Sequence, residues 1–124
     1  MGLFDTLKNA ANAATDYAAN SFKREIDALL LPGEIVEDTV RLVADYFVFT
    51  SRRVIFVDAK LISSKRAIVS IPYSKISEVV MVSGGMMSFS QEVILRVGTL
   101  QHDVKLYDAQ GSLDLYKKLV SRIS

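Results

Sequence analysis

The chain contains no cysteine and a single histidine. Without cysteine, disulfide scaffolds, thiol catalysis and thiolate metal sites are excluded together. With one histidine, a metal centre built on imidazoles is excluded by count, and the carboxylates show no paired or clustered spacing that would hold a cation instead. No run of about 18 apolar residues is present to cross a bilayer. The first twenty residues, MGLFDTLKNAANAATDYAAN, lack the basic start and continuous apolar stretch of a secretory signal. A soluble, cytoplasmic chain is the expectation. Charge of one sign is also missing, because 15 Lys and Arg face 14 Asp and Glu. No long-range field therefore draws in a polyanion, and no basic stripe or aromatic-basic interleaving appears, so nucleic acid is excluded as a partner.

What the chain has in quantity is apolar sequence: half of its 124 residues are hydrophobic. That length suits one domain with a real core, and the surplus points to burial in subunit contacts. Residues 3–29 read as a helix, with Leu3, Leu7, Ala10, Ala14, Tyr17, Phe22, Ile26 and Leu29 recurring mostly every three or four positions. Its stripe is rich in alanine and buries little area per residue, so the helix requires a partner. LLLPGE then breaks it at Pro32 and Gly33. The expected division is 1–30, an alanine-rich helix, and 31–124, the main domain.

Beyond Pro32 the period becomes that of strands. Seven are predicted, at 35–43, 46–50, 53–58, 67–71, 76–82, 89–97 and 100–107, all rich in valine, isoleucine and aromatics. Their connections are short enough for antiparallel hairpins. GSLDLYKKLVSRIS closes the chain as an amphipathic helix, with Ser112 as its cap, Asp114 in its first turn and Lys117, Lys118 and Arg122 toward its C-terminal end.

The order of seven antiparallel strands and a C-terminal helix is that of a pleckstrin-homology-like (PH-like) barrel. LLPGEIVEDTVRLVADYFVFTSRRVIFVD, with PGE opening the first strand and TSRRVIFVD forming the second hairpin, resembles the bacterial pleckstrin-homology domain family; IPYSKISEV at 71–79 is similar to that family's link into the fifth strand. The resemblance implies a mainly β fold with helices: a seven-stranded antiparallel barrel or sandwich capped by the C-terminal helix, preceded by the N-terminal helix. It also implies ring-forming oligomers.

Thr50-Ser51-Arg52-Arg53 raises the sharpest functional question. Turn hydroxyls bond local backbone, and neighbouring strand residues leave in opposite directions, so the stretch reads first as a turn, with one arginine in water and one lying along the surface. The competing reading is an anion or lipid contact built from Arg52, Arg53, Lys60, Lys65 and Arg66, five basic residues against Asp58 alone. The basic cluster that phosphoinositide-binding relatives place after their first strand is absent here, where Arg41 stands near Asp45. His102 alternates with Leu100, Val104 and Leu106 and reads as a packed core residue; Asp103 points the other way, so the two form no catalytic dyad. Gly84-Gly85 lacks the lysine and helix of a phosphate loop. MGLFDT matches a myristoylation pattern at Gly2 and Thr6, but a bacterial source lacks the modifying enzyme. No cofactor is expected and no catalysis.

The expected function is a noncatalytic module that self-associates, a homo-oligomer with the geometry of a ring. Its partner is itself, with another protein as a further option and a membrane surface behind both. YFVF and VIFV are apolar on both faces, so one face fills the core and the other seeks cover. The predicted oligomer contacts are Phe47, Phe49, Ile55, Val57, Met86 and Met87.

Overall fold

In the computed structural model of the protein, the residues described are 21–43, 45–58, 67–82 and 91–124. Two compact units are present, 1–34 and 35–124. In the first, helix α1 covers residues 21–29, with Phe22 and Ile26 buried one turn apart. It ends in a tight turn whose chemistry is explicit in the sequence. Pro32 presets the first central position, Gly33 takes φ 80° at the second, and the Glu34 N–H donates to the Leu31 carbonyl at 2.9 Å. Those are the requirements of a type II turn, in which a residue with a Cβ is strained at the glycine position. The Glu34 carboxylate reinforces it by accepting from the Leu31 N–H at 3.0 Å.

Among its described residues, the second unit holds seven strands in two antiparallel sheets. Strands β1 (Val36–Arg41), β2 (Tyr46–Thr50), β3 (Arg53–Asp58) and β4 (Ala67–Pro72) lie in that order in one sheet. A single 3-10 turn, Tyr73–Lys75, leads to the other, formed by β5 (Glu78–Val82), β6 (Gln91–Val97) and β7 (Leu100–Leu106). The sheets are separate rather than closed into a barrel, so the fold is a sandwich. The first strand is shorter than the sequence predicts and carries a register shift between Val36 and Asp38. Its apolar pattern continues to Val43, but there the chain turns: the Leu42 N–H bonds the Asp45 carbonyl and the Val43 N–H bonds the Lys105 carbonyl of β7.

The core lies between the sheets. Val40, Phe47, Phe49, Val54, Phe56 and Ile71 come from the four-stranded sheet, and Val93, Leu95, Val104 and Leu106 from the three-stranded one. Phe47 and Phe56, paired across β2 and β3, stack at 5.0 Å, and Phe49 tilts onto Phe47 at 5.2 Å. Each buried phenylalanine contributes about 2–3 kcal/mol by leaving water. Val48 and Ile55, on the opposite face of the same strands, are also wholly buried, so both faces of the central strands are withdrawn from solvent.

Helix α2 (Ala109–Ile123) closes the sandwich with Leu115 and Leu119, which are fully buried. Its start corrects the sequence reading. Asp108, not Ser112, is the cap: its backbone is extended (φ −145°, ψ 169°) and its carboxylate accepts from the Gly111 N–H at 2.7 Å. The helix begins a turn earlier because β7 ends at Leu106 and only Tyr107 and Asp108 connect them. Ser112 consequently lies inside the helix, on its buried face, and Asp114 lies beyond the first turn.

Candidate functional site

The β2–β3 turn is a structural hub. Thr50 has no solvent exposure, and its hydroxyl is saturated. It accepts from the backbone N–H groups of Arg52 (3.1 Å) and Arg53 (3.0 Å) and donates to the Arg53 carbonyl (3.0 Å). One donor and two lone pairs are the full capacity of a hydroxyl. Ser51 ties the turn to the start of β1: its N–H donates to the Ile35 carbonyl (2.9 Å) and its Oγ accepts from the Ile35 N–H (3.2 Å). Arg52 is exposed, whereas Arg53 is half-buried and donates to Ser70 Oγ at 2.9 Å. The two arginines therefore diverge as strand alternation requires.

From this turn a polar chain runs to α2. The Tyr73 hydroxyl donates to the Thr50 carbonyl at 2.6 Å, and the Arg122 guanidinium lies 5.4 Å from the centre of the Tyr73 ring. Arg122 also pairs with Glu37 (2.6 Å), and Lys118, one turn earlier, pairs with Asp38 (2.8 Å). Glu37 and Asp38 are adjacent, and strand alternation would send them to opposite faces. The register shift beside them breaks that alternation, and both reach the same helix. The hydrogen bond from Lys118 holds the Asp38 carboxyl below its ordinary value, with the Thr39 N–H assisting against partial burial. The hydrogen bond to Glu37 raises Arg122. This network went unread in the sequence, although acidic neighbours in a strand and basic residues at i and i+4 on a helix were its visible parts.

The other predicted site residues are dispersed. Lys60, Lys65, Arg66, Met86 and Met87 lie outside the described residues, so the basic cluster is represented here by Arg52 and Arg53 alone. Phe47 and Phe49 are core residues at 0% and 1% exposure, which corrects their assignment as contacts for a second copy. Ile55 is likewise 0% exposed and offers no surface, while Val57 is half-buried. The physical reason for Phe47 and Phe49 is that they point between the two sheets and fill the core, while Ile55, on the opposite face of β3, is withdrawn from solvent as well. His102 is half-buried and meets Phe56 edge-on at 5.6 Å, joining the two sheets; Leu100, expected beside it in the core, is 65% exposed at the strand's start. Among the described residues no group of three or more potential ligands could hold a metal ion, and no helix is long and apolar enough to cross a membrane.

A sandwich of four and three antiparallel strands closed by a C-terminal helix agrees with what known sequences show. The family model for the bacterial PH domain matches residues 5–123, nearly the whole chain. The chain belongs to the bacterial PH domain family. Among its relatives, the uncharacterized protein YjqA of Bacillus subtilis (strain 168) is 31% identical over 123 residues, covering 91% of this chain and 96% of YjqA. The uncharacterized protein YozO of the same bacterium is 36% identical over 63 residues, 51% of this chain; the match spans about half of YozO, 55% of its length. In fold, this PH domain is similar to the crystal structure of a pleckstrin homology domain from Shewanella amazonensis SB2B, with a TM-score of 0.67, 23% identity, and coverage of 85% of this chain and 87% of that one.

Proposed function

We propose that this bacterial PH domain is a noncatalytic interaction module that assembles with copies of itself, head to tail, into a closed homo-oligomer. The observation that carries the reading is β5. It is one of the two outer strands of the three-stranded sheet among the described residues, and four of its five residues are Val79, Val80, Met81 and Val82. Met81 is 38% exposed and Val82 37%. An outer strand of this kind, with neither proline nor lysine to blunt it, is a template for a further strand. Among the described residues, β4, one of the two outer strands of the other sheet, carries exposed Ile68. Pairing unlike edges of successive copies is a heterologous contact, which closes into a ring when the rotation permits. The noncatalytic part of the reading is supported by the use of the single histidine as packing against Phe56 and by the consumption of the Thr50 hydroxyl within its own turn.

The test is the solution mass of the full chain by light scattering, with Met81→Lys as the variant. The expected result is a discrete oligomer of the 13.7 kDa chain that loses mass when lysine blunts β5. A parent chain that scatters as a monomer across the accessible concentration range overturns self-assembly. An oligomer indifferent to Met81→Lys overturns β5 as its contact.

A further inference from the structure

On the outer face of the three-stranded sheet, the central strand carries opposite charges on either side of an apolar residue. Val93 and Leu95 of β6 are wholly buried in the core, so Glu92, Ile94 and Arg96 point away from it. The register sets Val80 and Asp103 beside Ile94, Val82 and Lys105 beside Glu92, and Glu78 and Gln101 beside Arg96. The middle of this face is apolar toward β5. Its central strand ends in opposite charges, Glu92 and Arg96, about 13 Å apart at the strand rise.

We propose that this face docks on the same face of a second copy, with β6 antiparallel on β6 about a two-fold axis through Ile94. The inference rests on the self-association reading above and adds a contact distinct from the β5 edge. In this arrangement Ile94 meets Ile94, Val80 meets Val80, and Glu92 meets Arg96 twice. Parallel docking would instead set Glu92 on Glu92 and Arg96 on Arg96, so the charges select the antiparallel form. Stacked sheets lie about 10 Å apart and cross at about 30°. Over the distance from Ile94 to either charge, that crossing displaces the partners by ~3 Å, within reach of a long side chain. Arg96 already lies 3.6 Å from Glu78 of its own chain, but a guanidinium has donors for two carboxylates.

Two features set the strength of the contact. Three strands of about six residues make a face of roughly 14 by 20 Å, smaller than the ~800 Å² per partner of a standard interface. The contact is therefore weak alone and gains from acting beside the edge contact, which raises the effective concentration of the second face. Asp103 opposes the pairing, because it meets its own symmetry mate; Gln101 Nε2 donates to it at 3.0 Å.

The experiment is sedimentation equilibrium at high concentration on the full chain, as the parent and in the Met81→Lys background, where blunting β5 leaves the face contact to be read by itself. Glu92→Lys and Ile94→Glu are expected to weaken association by about tenfold or more, consistent with like-charge contacts placed at an interface. The double change Glu92→Lys with Arg96→Glu is expected to recover most of that loss, because the reversed charges again meet their opposites. Asp103→Asn is expected to tighten it. A purely intrachain role predicts the reverse for the double change, since it leaves both Glu78 beside Arg96 and Glu92 beside Lys105 with like charges. Recovery in the double variant supports the contact. A double variant as weak as the single, or an Ile94→Glu chain that associates as the parent does, overturns it. If Met81→Lys leaves the parent mass unchanged, the β5 reading fails, and the same four variants on the parent chain still decide the face contact.

Discussion

Thr50→Val keeps the shape and branching of a fully buried side chain and deletes one hydroxyl, so its effect isolates the hydrogen bonds of the β2–β3 turn. The hydroxyl makes three bonds, to the N–H groups of Arg52 and Arg53 and to the Arg53 carbonyl. Each contributes about 1 kcal/mol net. Water replaces the bond to the N–H of exposed Arg52, which leaves a cost of about 2 kcal/mol. Thr50→Ser is the control: it keeps the hydroxyl and loses one methyl, about 0.8 kcal/mol. For a chain of this length an unfolding entropy of about 2.1 cal/mol/K per residue converts 2 kcal/mol into roughly 8 °C of melting temperature. Urea unfolding followed by circular dichroism is the assay, and the midpoint is expected to fall with unchanged slope. If Thr50→Val is as stable as Thr50→Ser, the hydroxyl does not hold the turn and the reading of Thr50 as a structural residue fails.

Three further substitutions test the cap of α2 and the ion pair that ties α2 to β1. Ser112→Ala is expected to stabilise by a few tenths of a kcal/mol, because the buried Oγ has no hydrogen-bond partner among the described residues, whereas Asp108→Ala is expected to cost about 1 kcal/mol as a lost cap; thermal melts showing the reverse order would restore Ser112 as the cap. Lys118→Met removes the main group that depresses Asp38, and both ends of that pair are 39% exposed, so the cost at neutral pH is below ~1 kcal/mol. A carboxyl whose folded pKa is depressed stabilises above its unfolded value, and that stabilisation is lost as pH falls through the folded one. The difference between parent and variant is therefore expected at neutral pH and to vanish in acid below the ordinary value of 3.8; a difference independent of pH, measured by urea titrations across that range, would show that the pair contributes through packing alone.

Local pattern was enough to read the element types. Alternating and β-branched sequence marked the strands, Pro32-Gly33 marked the end of α1, and the hydroxyls of Thr50 and Ser51 marked a turn whose bonds run to neighbours in sequence and to the start of β1. The errors came where a decision was nonlocal. YFVF and VIFV are apolar on both faces, so alternation sorts Phe47 and Phe49 from Val48 without saying which set fills the core or that both are buried. Ser112 and Asp108 are both competent caps, and the choice fell to where β7 ended. The separation of the seven strands into two sheets was open in the sequence as barrel or sandwich.

The sequence by itself determined the antiparallel β character, the closing helix, the turn at 50–53 and the likeness to bacterial PH domains, because each is written in residues a few positions apart and enforced by backbone sterics and short-range hydrogen bonds. Only the tertiary structure decided that Glu37 and Asp38 both reach α2, that His102 meets Phe56, and that Glu92, Ile94 and Arg96 share an outward face while β5 forms an outer strand. Those relations join positions up to 85 residues apart, as between Glu37 and Arg122. They follow from register, a bulge and sheet order, which are settled by how the whole apolar surface is buried at once rather than by any one segment's preference.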